Sequence, residues 1–143
     1  MSLKILISQP NLYDSKVFMP LVFLCLKTYV DKREDVDPVT WLDPLFRNTD
    51  CKTMLKDVDT KNVDILGLSC YDWNWSLQLE IAKQIKKDNP NVLVIAGGPH
   101  PDWKDKDFYK KYPQIDVVVY LSLIHISEPT RPLYISYAVF CLK

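Results

Sequence analysis

Glycine is scarce in this 143-residue chain: there are three, and two of them, Gly97 and Gly98, are adjacent. So few glycines leave little room for the glycine-rich turns that press backbone amides against phosphates. Neither sign of charge is in excess, with 18 Lys+Arg against 18 Asp+Glu. Without a basic stripe, neither nucleic acid nor an anionic membrane is an expected partner. Cysteines are few and far apart. Cys25, Cys51, Cys70 and Cys141 are separated by 26, 19 and 71 positions, which fits neither a zinc knuckle nor a redox motif and predicts reduced thiols in a cytoplasmic protein. No apolar run is long enough to span a bilayer. Val17 to Val30 carries Pro20 and Lys27 and is about 14 residues long against the roughly 20 required, so it reads as a core helix. The start of the chain, Leu3-Lys4-Ile5-Leu6-Ile7, lacks the charged head and small-residue cleavage site of a secretory signal.

Short apolar runs alternate with helical segments. Leu3 to Ser8 predicts a first strand, closed by Gln9-Pro10-Asn11 because proline cannot donate to a ladder. After a loop through Tyr13, Asp14 and Ser15, Pro20 to Tyr29 predicts a helix, with Leu21, Leu24, Cys25 and the stem of Lys27 packed on a sheet. Val39 to Leu42 predicts strand two, and Asp50 predicts the cap of a helix carrying Met54, Leu55 and Val58. Asp64 to Ser69 has the nearly continuous apolar character of a parallel strand covered on both faces. Ser76 to Lys87 predicts a helix from Leu77, Ile81 and Ile85, stopped by Asp88-Asn89-Pro90. Val92 to Ala96 and Ile115 to Tyr120 complete five strands, with a short helix around Phe108 and Tyr109 between them. Such alternation predicts an α/β domain with a doubly wound parallel sheet.

Ligands of open parallel sheets sit outside the carboxyl ends of the strands, which directs attention to the loops after strands one, three and four. Loop one, Gln9-Pro10-Asn11-Leu12-Tyr13, has neither the glycines of a dinucleotide site nor the Ser/Thr/Gly-rich character of a flavin mononucleotide site. A phospho-receiver would need acidic residues where Ser8-Gln9 and Ser69-Cys70 stand. Loop three, Ser69-Cys70-Tyr71-Asp72-Trp73-Asn74-Trp75-Ser76, combines a hydroxyl, three aromatics and amide or carboxylate groups ahead of a helix, and suits a large, flat, partly polar ligand. Gly97 and Gly98 would allow close approach of a bulky group to backbone. Structural readings stand beside these: Ser69 and Asn74 as helix caps, Trp73 and Trp75 as packing, and Gly97-Gly98 as a tight turn. A hydrolase with Cys70 as nucleophile lacks a neighbouring base.

Asp64 to Ser69, Cys70-Tyr71-Asp72-Trp73-Asn74, the helix end Ile85 to Pro90, Gly97-Gly98-Pro99-His100 and Tyr112 to Tyr120 together resemble the N-terminal cobalamin-binding domain of radical S-adenosylmethionine enzymes. The 27 residues between Ser69 and Gly97 match the spacing of the serine and Gly-Gly elements of the wider cobalamin-binding fold. The fold expected is flavodoxin-like (Rossmann-like), with five parallel strands in the order 2-1-3-4-5. The resemblance implies a cobalamin site formed by Gln9, Pro10, Asn11, Ser69, Cys70, Tyr71, Trp73, Asn74, Gly97, Gly98, Pro99 and His100. Ser69 would bond the nucleotide tail, Gly97 and Gly98 would admit it between sheet and helix, and loop one would lie under the ring. A bulky residue at Gly98 is expected to block that slot. The Asp-x-His-x-x-Gly loop whose histidine ligates cobalt in related proteins is missing after strand one, so no protein imidazole ligand is expected. His100 is expected to take a loop hydrogen bond instead.

The family continues with Gly-Glu-Gly-Glu and a Cys-x-x-x-Cys-x-x-Cys radical domain, and neither is found here. The expectation is therefore a cobalamin-binding domain, residues 1–120, truncated from a cobalamin-dependent radical enzyme and not catalytic alone. Its 4Fe-4S cluster and S-adenosylmethionine would belong to the missing domain, its partner in cis, and its cobalt would either relay a methyl group or assist radical chemistry. The alternative is a degenerate domain that docks or positions substrate without corrinoid. Residues 121–143 hold 3 charged residues in 23, against 33 in the first 120, and closely resemble translated sequencing-adapter read-through. They are set aside as a non-native tail, His125 and Cys141 included, the alternative being a real extra strand and terminal extension.

Overall fold

The computed structural model describes residues 2–12, 19–102, 104–119 and 140–142. The loop residues Tyr13, Asp14 and Ser15, the start of the apolar run at Val17, Tyr120 at the end of strand five, and His125 in the tail lie outside them. Strands β1 (Lys4–Ser8), β2 (Thr40–Trp41), β3 (Ile65–Ser69), β4 (Leu93–Gly97) and β5 (Val117–Val119) alternate with helices α1 (Leu21–Asp31), α2 (Cys51–Met54), α3 (Trp75–Asp88) and α4 (Phe108–Lys111). The five strands are parallel in the order 2-1-3-4-5, as expected. A sixth, β6 (Phe140–Leu142), pairs antiparallel with β5, within the tail for which an extra strand was the alternative to a non-native sequence.

Register divides the sheet into two unlike faces. Leu6, Leu66 and Val94 form one cross-strand row, and Ser8, Leu68, Ala96 and Val118 the next. Side chains alternate along a strand, so both rows share a face. The apolar members of these rows belong to a single core that includes Met54 and Leu55, Ile81 and Ile85 of α3, and Phe108 of α4. Fully burying each such aliphatic side chain contributes about 1.5–3 kcal/mol. The other face carries the rows Ile7, Gly67, Ile95, Val117 and Ser69, Gly97, Val119. Here Gly67, Ile95, Gly97 and Val119 are only partly buried.

Helix α1 lies toward this second face, where Phe23 meets Trp41 of β2 edge-on at 5.8 Å and Trp41 stands in register with Ile5. This corrects the expectation of a core helix: α1 forms, but buries none of its residues, and Leu21 is 64% exposed. The chain moves one strand leftward through α1 and rightward through the later crossovers. Right-handed connections therefore place α1 opposite α2, α3 and α4, away from the main core. No helix among the described residues is long and apolar enough to cross a membrane.

One partly buried carboxylate ties the sheet to a helix, and another carboxylate caps one. Asp116 Oδ2 accepts from Lys86 Nζ at 2.5 Å and from Val94 N at 2.9 Å, joining the end of α3 to β4 and the approach to β5. Asp50 caps α2 as expected, accepting from Thr53 N at 2.9 Å.

The two faces predict different sensitivities. Ile81→Ala should lower the unfolding free energy by about 2–5 kcal/mol, whereas Leu21→Ala should lower it by less than about 0.5 kcal/mol. Urea denaturation followed by circular dichroism checks both, and equal losses would contradict the placement of α1.

Candidate functional site

The carboxyl ends of β1, β3 and β4 come together, and two amide side chains from the start of α3 fasten them. Asn74 stands at the N-cap position of α3 but makes no side-chain cap. Its Oδ1 accepts from Tyr71 N at 2.8 Å, and its Nδ2 donates to Ser69 O at 2.9 Å and to Pro10 O at 3.3 Å. One turn later Gln78, fully buried, donates from Nε2 to Ser8 O at 2.8 Å and Ser69 O at 2.9 Å. Loop one is thereby bound to loop three. Gln9 is occupied elsewhere, its Oε1 accepting from Val22 N of α1 at 3.0 Å, while Asn11 N donates to Phe46 O at 3.2 Å.

The structural reading of Asn74 as a helix cap does not hold: its amide ties the loop to the preceding strands. Gln78 was missed altogether. Its signal was its position, since Trp75, Gln78, Ile81, Ala82 and Ile85 form the buried stripe of α3. A polar residue at a stripe position is a candidate for a buried hydrogen-bonding task.

Loops three and four interlock. Cys70 N donates to Gly97 O at 2.8 Å, and His100 N to Cys70 O at 3.3 Å. Gly98 has φ +103°, and a Cβ built there would stand 2.4 Å from Cys70 O. Gly97 differs: among the described residues a Cβ there would meet only Leu68 O, at 4.0 Å. The adjacent glycines thus have different tasks. Gly98 admits the backbone of loop three, while Gly97 leaves open space on the second face, beside Ser69 and Val119 in its row. A bulky residue at Gly98 would therefore displace Cys70, and the position that can be blocked without rebuilding the loop is Gly97. The third glycine, Gly67, lies one row below, but its missing side chain is replaced by Ile7, whose Cδ1 would be 2.7 Å from a Cβ there.

The two tryptophans also separate. Trp75 is buried among Phe108, Tyr112 and the His100 ring, with ring centroids 6.3, 5.1 and 4.8 Å away. Trp73 is 52% exposed and stacked on Tyr71 at 4.5 Å with an 11° interplanar angle. A flat aromatic pair therefore faces outward from loop three. His100 Nδ1 donates to Asp72 Oδ1 at 2.5 Å, the loop hydrogen bond expected of it. Pro99 continues the turn begun at Gly98. Cys70 is fully buried, and burial pushes its thiol up to about 12. A thiol so protonated is no nucleophile near neutrality, which removes the hydrolase reading's central residue.

The B12 binding domain family model matches residues 26–122. The chain is similar to the cobalamin-dependent radical SAM methyltransferase TokK of Streptomyces tokunonensis, at 36% identity over 104 residues, 72% of this chain and 15% of that protein. It is similar also to the 2-(S-pantetheinyl)-carbapenam-3-carboxylate methyltransferase of Streptantibioticus cattleyicolor, at 35% over 104 residues, again 72% and 15%. The chain spans about 15% of the length of these curated relatives. Among solved structures, a novel cobalamin-binding protein from Desulfitobacterium hafniense DCB-2 overlays with a TM-score of 0.46 at 18% identity, covering 78% of this chain and 50% of that one.

Two measurements test the site's construction. Gly98→Ala forces a side chain into a left-handed backbone against Cys70 and should cost about 1–3 kcal/mol in urea denaturation, with Gly97→Ala costing less than about 1 kcal/mol. The second concerns pH. The unfolded Cys70 thiol ionises near its ordinary value of 9.0 and the folded one near 12. The unfolded state therefore loses its proton first, and the stability this group supports is intact below pH 9 and declines as pH rises toward 12. Comparing urea denaturation at about pH 8 and about pH 10.5, the original chain should lose more stability than Cys70→Ala does.

Proposed function

The chain belongs to the B12-binding domain family, and from that membership we propose that residues 1–120 hold a corrinoid across the carboxyl ends of β1, β3 and β4, as the cofactor-carrying part of a longer radical S-adenosylmethionine enzyme. The observation that carries this reading is the side-chain-free space at Gly97, on the less covered face of the sheet and in one row with Ser69. Ser69 and Gly97 receive the nucleotide tail there. Tyr71 and Trp73 offer their stacked surface to the ring, and Gln9, Pro10 and Asn11 lie beneath it. Cys70, Asn74, Gly98, Pro99 and His100 serve by shaping the two loops. With the His100 imidazole turned toward Asp72 and packed on Trp75, the cobalt takes no ligand from it.

A bound corrinoid supplies a cobalt centre suited to passing on a methyl group or supporting radical chemistry. This chain's own residues bind and orient it, and the iron–sulfur cluster and S-adenosylmethionine belong to a further domain of the parent enzyme. The relatives' names support methyl transfer as the parent reaction. Free thiols at Cys25, Cys51 and Cys70 support a cytoplasmic location, and balanced charge supports neither nucleic acid nor a membrane surface as partner. Residues 121–143 are read as a non-native tail, supported by a family match that ends at residue 122, even though Phe140–Leu142 pair with β5.

Titrating the 143-residue chain with hydroxocobalamin, followed by visible absorbance and equilibrium dialysis, tests the proposal. Saturable one-to-one binding is expected, weakened at least about tenfold in Gly97→Trp with an unchanged circular dichroism spectrum. No binding by the original chain would overturn the corrinoid reading in favour of a docking domain.

A further inference from the structure

Gln78 is an awkward residue for its place. It is fully buried in a stripe of α3 otherwise filled by Trp75, Ile81, Ala82 and Ile85. Its amide orientation is fixed, because Nε2 faces two carbonyl oxygens, Ser8 O and Ser69 O, and a flipped amide would set oxygen against oxygen. Its Oε1 is consequently left without a partner among the described residues, as is the neighbouring Ser8 Oγ. An apolar side chain of the same size would avoid stranding that oxygen. Departures of this kind from a well-satisfied core are concentrated where a site requires them.

The requirement is visible in what the amide holds. Ser8 and Ser69 end the two strands whose following loops carry seven of the twelve residues of the proposed site. Beyond them loop one is bonded onward to Leu45 and Phe46 and loop three to Gly97, but the ladder between β1 and β3 ends at Ser8 and Leu68. Asn74 and Gln78, four residues apart and so on one side of the helix, together donate to Ser8 O, Pro10 O and Ser69 O. We propose that Gln78 is a positioning residue for corrinoid binding: its two amide hydrogens set the separation of loop one from loop three, so that a ligand spanning both finds them already in place. This inference rests on the corrinoid reading, and it assigns the effect to the donors rather than to the volume of the side chain.

Two variants of the full chain test it with hydroxocobalamin as probe. Gln78→Met keeps the length and removes both donors, and should weaken binding at least about tenfold while retaining the circular dichroism spectrum. Gln78→Glu has no donor when ionised and one when protonated. Its affinity relative to the original chain should therefore recover several-fold between about pH 7.5 and about pH 5, a buried carboxyl taking up its proton early in that range. A purely space-filling residue would give no such pH signature. Where Gln78→Met does not fold, the Glu variant at conditions where it is folded decides alone. Gln78→Met binding within twofold of the original chain, or a Gln78→Glu ratio that does not change with pH, overturns the positioning role while leaving corrinoid binding intact. Failure of the original chain to bind overturns the corrinoid reading and this one with it.

Discussion

The carbonyl oxygen of Ser69 is the point on which the carboxyl edge of this domain depends. It lies at the end of a central strand and accepts from Asn74 and Gln78. Each of those amides also reaches the chain next door, at Pro10 and Ser8 respectively. A parallel sheet holds its strands together only as far as the ladder runs, and its loops then diverge under their own preferences. The helix that follows β3 returns two side chains to that ending and extends the order into the loops. A buried backbone carbonyl that lost both donors would carry a desolvation penalty of about 1–3 kcal/mol, comparable to losing a core aliphatic side chain.

That edge sits on a sheet with unequal faces. On one, alternating Leu and Val residues meet three helices in a dry core. On the other, Gly67 and Gly97 thin the surface, Ile7 fills one of the two gaps, and the other stays open. The asymmetry follows from connectivity: three crossovers run toward β5 and one runs toward β2, so the handedness rule stacks helices on one side. A single helix with no buried residue serves the other. Within one sheet the second face thus mixes buried positions, Ile7, Ser69 and Val117, with partly buried ones, Gly67, Ile95, Gly97 and Val119.

Strand positions were legible because short apolar runs of four to six residues between polar or turn-forming segments have few other interpretations, whereas the strand order came from the family resemblance. The α3 helix was legible from Ile81 and Ile85, and its end from Pro90. Burial was less legible. The apolar composition of Leu21 to Val30 resembles that of a core helix, and only the direction of its crossover shows that it lies away from the main core. In the site, Ser69, Asn74 and the glycine pair stood out in the sequence, but residue type could not separate the tasks of Gly97 and Gly98, which depend on a backbone passing 2.4 Å from where one Cβ would be. Nor could it separate Trp73 from Trp75, two positions apart and facing opposite ways. Gln78 went unnoticed because a glutamine in a helix is ordinary until its neighbours on the stripe prove to be buried.

Gly98, seated against Cys70, has a consequence for anyone wishing to move this site to another scaffold. Because the backbone of each loop forms the wall of the other, the segments after β3 and β4 constitute one transplantable piece rather than two, with β3, α3 and β4 as its frame. The segment after β1 touches that piece through carbonyl oxygens, which every residue possesses. A designer would therefore have to carry loops three and four across together, and would keep in loop one the buried Pro10, and Gln9, whose Oε1 accepts from Val22 N of α1.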